Sequence, residues 1–370
     1  MFNIIGRAGR GKSVLVNLII NSIANDPESK IIVVDVKGSH TKTMMDIGGR
    51  VHHISLDTPS SVNPFKHLST TSTEEGVEIL RTFVAELLLD NGEKELPTKD
   101  TYYLDEALLS YAEAKPSSPS LSDFIKFVFS AKEQSRFPMF PRKEHLLRFS
   151  STGINKNIFS KHNANSDDRI QYYNIDEIMQ ASNKTIAKAT MAAIMAEFSF
   201  QLLNKKSSEK LLFLADEVPF FVEQCFSSFT LLSKNVRKLR GSLGLVAQTS
   251  NSLIVGGDRS LINNAETNIL FSTDGDSETF SSVFQITPEE TELVSKLKTE
   301  IGKYSQFYIR DSVSGKVGFL IITDEEYWQT TTHPADLVMI EKLKEALPQV
   351  PQNKIAKLIT IAKQECGGFL

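Results

Sequence analysis

Cysteine is nearly absent from this sequence. Cys225 and Cys366 are the only two, and they form no metal-ligand spacing, which fits a reducing setting. An excess of one charge is also lacking. The 41 Lys and Arg residues face 45 Asp and Glu residues, a net charge of −4. Bulk electrostatics therefore do not announce a nucleic-acid binder, although a local basic groove stays open. No apolar run reads as long enough to cross a bilayer, no signal-peptide pattern is present, and no internal repeat recurs. "KPSSPSLS", from Lys115, is a small loop-like patch and not a low-complexity region. What remains is a chain of 370 residues, enough for a large core in two domains or in one domain with insertions.

The most informative stretch is the first. "GRAGRGKS" places Gly6, Gly11, Lys12 and Ser13 in the pattern G-x-x-x-x-G-K-[ST], with an extra glycine at Gly9. Before it, "FNII" is a short apolar run suited to a strand. After it, "SVLVNLIINSIA" has apolar residues at helical spacing. A glycine-rich turn between strand and helix aims several backbone N–H groups at one spot, and the helix N-terminus favours an anion there. Residues Gly6, Arg7, Ala8, Gly9, Arg10, Gly11, Lys12, Ser13 and Val14 are thus expected to hold a nucleoside triphosphate. Lys12 would reach the β- and γ-phosphates and Ser13 would hold Mg²⁺. A plain glycine-rich turn is the bland alternative. Arg7 and Arg10 could favour phosphate or crowd the loop. A strand of this kind is normally central in its sheet, so a chain beginning this close to it has either a natural start at Met1 or, the favoured expectation, an added initiator on a fragment cut just before its first strand.

Strand-like runs recur along the chain. They are "IIVVDV" to Val36, "VHHISL" to Leu56, "IQYYNI" to Ile175, "LLFLA" to Ala215, "LGLVA" to Ala247 and "NILFS" to Ser272. Helical stretches lie between them, such as Thr73 to Leu89, Lys184 to Leu203 and Cys225 to Leu239. Short apolar strands alternating with helices imply an α/β fold, with a mainly parallel sheet covered on both faces. "SQFYIRD" and "KVGFLIIT" around "SVSG" read as an edge hairpin. The expected layout is a core over 1–96, an all-α insertion over 97–165, the second part of the core over 166–325 and a helical tail over 326–370. The tail carries "ADLVMIEKLKEALP" and "NKIAKLITIAKQE", two amphipathic helices for packing on the core edge or for contact with a neighbour.

A phosphate loop needs a second acid, and "LLFLADE" supplies Asp216 and Glu217 at the end of an apolar strand. A buried strand carries an acid there only where the acid has something to bind or satisfy. Asp216 would hold Mg²⁺ through water, and Glu217 would orient and deprotonate an attacking water. Capping of the next segment is the alternative. Asp35 and Gln248 also end strands, at the sheet edge where open α/β folds bind ligands. Gln248 would sense the γ-phosphate or align the water. Asp35 is a rival general base, or a loop cap. Arg237 and Arg240, three apart, are expected on one helix face. They cap the helix end before Gly241 or reach the γ-phosphate of a neighbouring subunit. No guanine-reading motif stands out.

Longer segments carry a resemblance. "IIVVDVKGSHTKTMMDIGGRVHHISLDTPSSVNPF" is similar to the segment after the phosphate loop in TraC-type conjugative transfer ATPases of type IV secretion systems. The shared features are Asp35, Gly38, Ser39, the Gly48-Gly49 turn and Asn63-Pro64-Phe65. "TGINKNIF", "LLFLADE", "VRKLRGSLGLVAQT" and "NNAETNILF" match in order and spacing, and the likeness runs to about Asp324. The resemblance implies a RecA-like ATPase core with a helical insertion, using ATP and Mg²⁺. It implies work as a hexamer, or a dimer-built assembly, at the cytoplasmic base of a secretion channel in the bacterial inner membrane, beside the coupling protein. Family members carry a long N-terminal domain, so this chain looks like their C-terminal half. The alternative is a DNA-pumping hexamer of the FtsK, HerA or coupling-protein kind. A non-catalytic nucleotide-gated scaffold is disfavoured by the intact Lys12, Ser13, Asp216 and Glu217 set.

Overall fold

The computed structural model describes the whole chain except residues 59–61, 91–92, 94, 131–136, 138–139, 160–167, 181–183, 273–276, 301–302, 312–313, 352–353 and 366–370. Cys366 lies outside the described residues. The fold is a 10-stranded sheet. Its strands are β1 (Phe2–Ile5), β2 (Ser29–Asp35), β3 (Arg50–His53), β4 (Ile170–Asn174), β5 (Lys210–Ala215), β6 (Ser242–Ala247), β7 (Thr267–Phe271), β8 (Thr299–Glu300), β9 (Tyr304–Asp311) and β10 (Gly315–Leu320). Their order is β10-β9-β7-β1-β6-β5-β2-β4-β3, with β8 beside β9. From β7 through β3 every pairing is parallel. The β9–β10 hairpin closes the β7 side in antiparallel pairing, as expected for the edge.

Alternating side chains explain why the central strands read as unbroken apolar runs. Ile31 and Val33 of β2 enter one core with Val16 and Ile20 of the helix Lys12–Ala24. Ile32 and Val34 enter the opposite core, with the helices Thr73–Leu88, Lys184–Asn204 and Val222–Lys238. A strand buried on both faces has no polar side to show. The region expected as an all-α insertion carries the helices Thr98–Glu113, Leu121–Val128 and Lys143–Leu147, with no strand among its described residues. Its Leu104, Leu108 and Phe124 share the second core rather than forming their own.

Several expectations need correction. The run "VHHISL" pairs only as far as His53. The Cys225 helix begins at Val222 and bends at Cys225, where φ is −115° and ψ is 18°. The boundary at 325/326 falls inside a helix, Asp324–Thr330, which Thr323 and Glu326 open as a capping box. That helix precedes the two expected tail helices, Pro334–Ala346 and Ile355–Glu365. Trp328, Ile340, Ile355 and Ile359 join the three in a small cluster. Among the described residues one segment, Ile186–Asn204, is long and apolar enough to cross a membrane by length and composition, but 78% of it is buried inside the fold.

One half-buried histidine gives a test of stability. His67 stacks on Phe200 at 5.1 Å between ring centroids. Burial first, then the charge of Lys66, pulls its pKa down to about 3. The folded state therefore keeps His67 neutral while the unfolded chain protonates it near pH 6.5. Its contribution is complete above pH 6.5 and is lost as pH falls from 6.5 toward 3. Between pH 7.5 and 5.5 this amounts to about 1 kcal/mol. Urea unfolding at both values is expected to show wild type losing that much more than His67→Phe. Equal losses would show that His67 is not held neutral.

Candidate active site

The phosphate loop leaves β1 in the middle of the sheet, between β6 and β7. Gly6 donates its N–H to the Ala247 carbonyl at 3.2 Å. A Cβ at Gly6 would lie 2.5 Å from Cβ of Phe271, so no larger residue fits. Gly11, at φ 94°, turns the chain into the helix Lys12–Ala24 in a conformation that glycine favours, and no side chain caps that helix. Its first N–H groups are therefore left to an external acceptor. Arg7, Ala8 and Gly9 are exposed at the loop tip, and Ser13 and Val14 are half-buried in the first helical turn. Lys12 is 8% exposed and donates Nζ to the Arg7 carbonyl at 3.1 Å. Burial lowers its pKa, and the charges of Asp216 and Glu217 oppose that shift.

Strand pairing brings the acids to the same edge. Val34 of β2 pairs with Ala215 of β5, so Asp35 and Asp216 emerge side by side. Asp216 is 5% exposed. Its Oδ1 accepts from the Glu217 N–H at 2.8 Å, and its Oδ2 faces His40 Nε2 at 2.9 Å. Burial alone would raise its pKa. The hydrogen bond and charge of His40, with the Glu217 N–H and Lys12, outweigh that and hold it below the usual carboxylate value. The other ring nitrogen of His40, Nδ1, faces Asn17 Oδ1 at 2.6 Å. Both ring nitrogens therefore lie against oxygen atoms. Burial lowers the His40 pKa, but Asp216 and Asp35 raise it further, for a net rise.

Glu217 sits at φ 55°, a strained conformation for a residue with a side chain and one that clusters at functional sites. Gln248, at the end of β6, donates Nε2 to both carboxylate oxygens at 2.8 and 2.9 Å. Lys37 Nζ lies 2.9 Å from Oε1. Gln248 thus holds the acid in place. Asp35 has a different environment from the one expected of a rival base. It is fully buried, and its oxygens accept from the N–H groups of Lys37 and His40 and from the Tyr172 hydroxyl. It organises the turn after β2. Asp35, His40 and Asp216 are close enough to share a metal ion, but hydrogen bonds already occupy them. Ser13 lies in the first helical turn beside Lys12, and Asp216 is near enough for its charge to act on Lys12, so both offer an oxygen of the kind Mg²⁺ takes at that turn.

The two arginines do not join this group. The helix runs Val222–Lys238, so Arg240 lies beyond it at φ 54° and shares no helix face with Arg237. Arg240 and Gly241 close a Schellman turn through Arg240 N–H to Arg237 O and Gly241 N–H to Val236 O. Arg237 pairs with Glu266 at 3.2 Å. Glu266 donates its N–H to the Met1 carbonyl, at the start of β1 and at the sheet edge away from the phosphate loop. Arg237→Ala and Arg240→Ala are therefore expected to keep near-normal ATP turnover. A loss of about three to five decades with ATP binding intact, partly restored by mixing with Lys12→Ala, would instead identify a trans arginine.

Sequence reasoning missed Asn17, Lys37 and His40. The signal for Asn17 was an amide in an apolar helix, one turn after Ser13. The signal for the others was the run "DVKGSH" at the carboxyl end of a central strand.

The fold resembles VirB4 of Thermoanaerobacter pseudethanolicus, with a TM-score of 0.65 at 16% identity over 91% of this chain and 90% of that one. It also resembles the plasmid coupling protein TrwB in complex with ADP and Mg²⁺, with a TM-score of 0.58 at 11% identity over 87% and 85% of the two chains. At these identities the likeness concerns the fold. No curated protein matches in sequence. The sequence profile of the helicase HerA central domain matches residues 2–212. That match spans more than half of the chain, which therefore belongs to the helicase HerA central-domain family.

Proposed function

We propose that this chain is the Mg²⁺-dependent ATP-hydrolysing motor of a type IV secretion or conjugative transfer machine of the TraC kind. The observation that carries the hydrolytic reading is the position of Glu217. It is fixed by Gln248 and Lys37 beside Asp216 and Lys12, where an attacking water has a base and the phosphates have a cation. Lys12 would leave the Arg7 carbonyl for the β- and γ-phosphates. The N–H groups of the first helical turn would take the remaining phosphate oxygens. Ser13 and Asp216 would hold Mg²⁺, which neutralises phosphate charge when bound. Glu217 would orient the water and take its proton.

The segments from Ile31 to Phe65 and from Val236 to Thr249 support the finer assignment, through their likeness to the TraC-type ATPases. In that setting the chain works as a homo-hexamer at the cytoplasmic face of a bacterial inner membrane, with the coupling protein and the channel base as partners. A second reading, a hexameric DNA-pumping translocase of the FtsK, HerA or coupling-protein kind, is favoured by the family match over residues 2–212. ATP turnover across a range of protein concentrations, with and without single- and double-stranded DNA, separates the two. Turnover that rises with assembly and ignores DNA supports the secretion motor. Strong stimulation by DNA supports the translocase. No Mg²⁺-dependent ATP turnover under any of these conditions would overturn both.

A further inference from the structure

A file of buried polar groups runs from the C-terminal tail to Asp216. Thr330 is the last residue of the helix Asp324–Thr330, and its carbonyl accepts from Asn17 Nδ2 at 3.1 Å. The amide of Asn17 is thereby oriented, and its Oδ1 end faces His40 Nδ1 at 2.6 Å. The opposite ring nitrogen reaches Asp216 Oδ2 at 2.9 Å. Thr330 and His40 are 0% exposed, Asn17 1% and Asp216 5%. The links join positions 313, 23 and 176 residues apart in sequence. Local chain geometry therefore does not explain the file, and each member would carry an unsatisfied buried group without the next.

The file has a chemical consequence. The last carbonyls of a helix have no partner within it. Here two of them are taken by the phosphate-site layer: Thr330 O by Asn17, and Gln329 O by Lys42 Nζ at 2.8 Å. The tail helix docks through that end. Asn17 lies one turn after Ser13, on the same face of the helix that follows the phosphate loop. Asp216 has one oxygen fixed by the Glu217 N–H and the other by His40. A carboxylate pinned at both oxygens presents its remaining lone pairs in one direction. If Asn17 lost the Thr330 carbonyl, its amide could turn, and the ring of His40 would lose its directional acceptor.

We propose that Asn17 and His40 are positioning residues that fix the Asp216 carboxylate for the Mg²⁺-nucleotide, and that the Thr330 carbonyl sets their orientation. The tail helix is thereby part of the phosphate site. This rests on the reading of that site as an ATPase. The family match ends at residue 212, before the tail that supplies the carbonyl.

Two measurements on the full chain test it. In the first, binding of a fluorescent ATP analogue is compared in EDTA and in Mg²⁺, for wild type, Asn17→Ala and His40→Ala. Affinity in EDTA is expected to be unchanged, while the Mg²⁺ concentration for half-maximal effect rises about 10- to 100-fold, the usual cost of losing a partner behind a metal ligand. A packing role alone would lower thermal stability and leave the Mg²⁺ dependence where it was. If His40→Ala does not fold, Asn17→Ala decides. A folded Asn17→Ala with wild-type Mg²⁺ dependence overturns the proposal. In the second, ¹⁵N spectra of the histidine rings are expected to show one ring with a solvent-protected N–H in wild type, whose signals shift in Asn17→Ala because its neighbour is lost. A wild-type spectrum with no protected histidine ring also overturns it. A wild-type chain that gains nothing from Mg²⁺ overturns the ATPase reading instead, and the histidine spectrum then decides the relay on its own.

Discussion

Replacing Lys12 by alanine is expected to cut ATP turnover by at least two to three decades, the usual cost of removing one preorganised stabilising group at a phosphoryl site. The argument begins with burial. The Lys12 side chain is 8% exposed, and its Nζ donates to the Arg7 carbonyl. Asp216 and Glu217 lie close enough for their charges to raise its pKa against the effect of burial. Lys37, whose charge also acts on Lys12, is committed to Glu217 at 2.9 Å. Alanine at position 12 therefore leaves two acids facing the triphosphate without the cation between them. ATP affinity, measured by titration with a fluorescent analogue, is expected to fall together with turnover. Full-rate hydrolysis by Lys12→Ala would remove the phosphate-loop assignment.

The parts of this site that the sequence made legible are those whose signals are local. Glycines at fixed offsets between an apolar run and a helical pattern identify the loop, because only glycine permits the approach of Gly6 to Phe271. Doubly buried strands read as apolar runs, because both faces of the sheet are covered. The partners of Asp216 were not legible. His40 reaches it only because β2 and β5 are neighbours in the register Val34 to Ala215, and order along the chain does not dictate that pairing. Asp35 drew attention as an acid at a strand end, yet its bonds to the N–H groups of Lys37 and His40 make it a turn organiser. The end of the Val222 helix misled for a related reason. A glycine after a helix suggests that glycine takes the left-handed position. Here Arg240 takes it, and a Cβ at Gly241 would come within 2.6 Å of Leu202. Tight packing, not backbone conformation, calls for that glycine. The Thr323–Glu326 capping box was readable but lay where the sheet was taken to end.

Glu217→Gln should separate binding from chemistry. The substitution keeps the length and shape of the side chain, removes its charge and leaves Gln248 and Lys37 one acceptor oxygen to share where two are in use. Glutamine tolerates the φ of 55° at this position no worse than glutamate does. Asp216 keeps its bonds to His40 and to the backbone N–H of residue 217, so the metal-holding acid is undisturbed. ATP is therefore expected to bind with near-wild-type affinity in the presence of Mg²⁺ and to remain uncleaved. Turnover should fall about 10²- to 10⁴-fold, the range for loss of a general base. Asp35→Asn is expected to fail differently. Its carboxylate accepts from two backbone N–H groups and the Tyr172 hydroxyl, and an amide offers one oxygen where two are in use. That variant should lose thermal stability, with binding and turnover falling together. Single-turnover measurements with pre-bound ATP distinguish the two patterns, because they report cleavage without substrate capture. Normal cleavage by Glu217→Gln, alongside a stably folded Asp35→Asn that binds ATP and cannot cleave it, would move the base from the end of β5 to the end of β2.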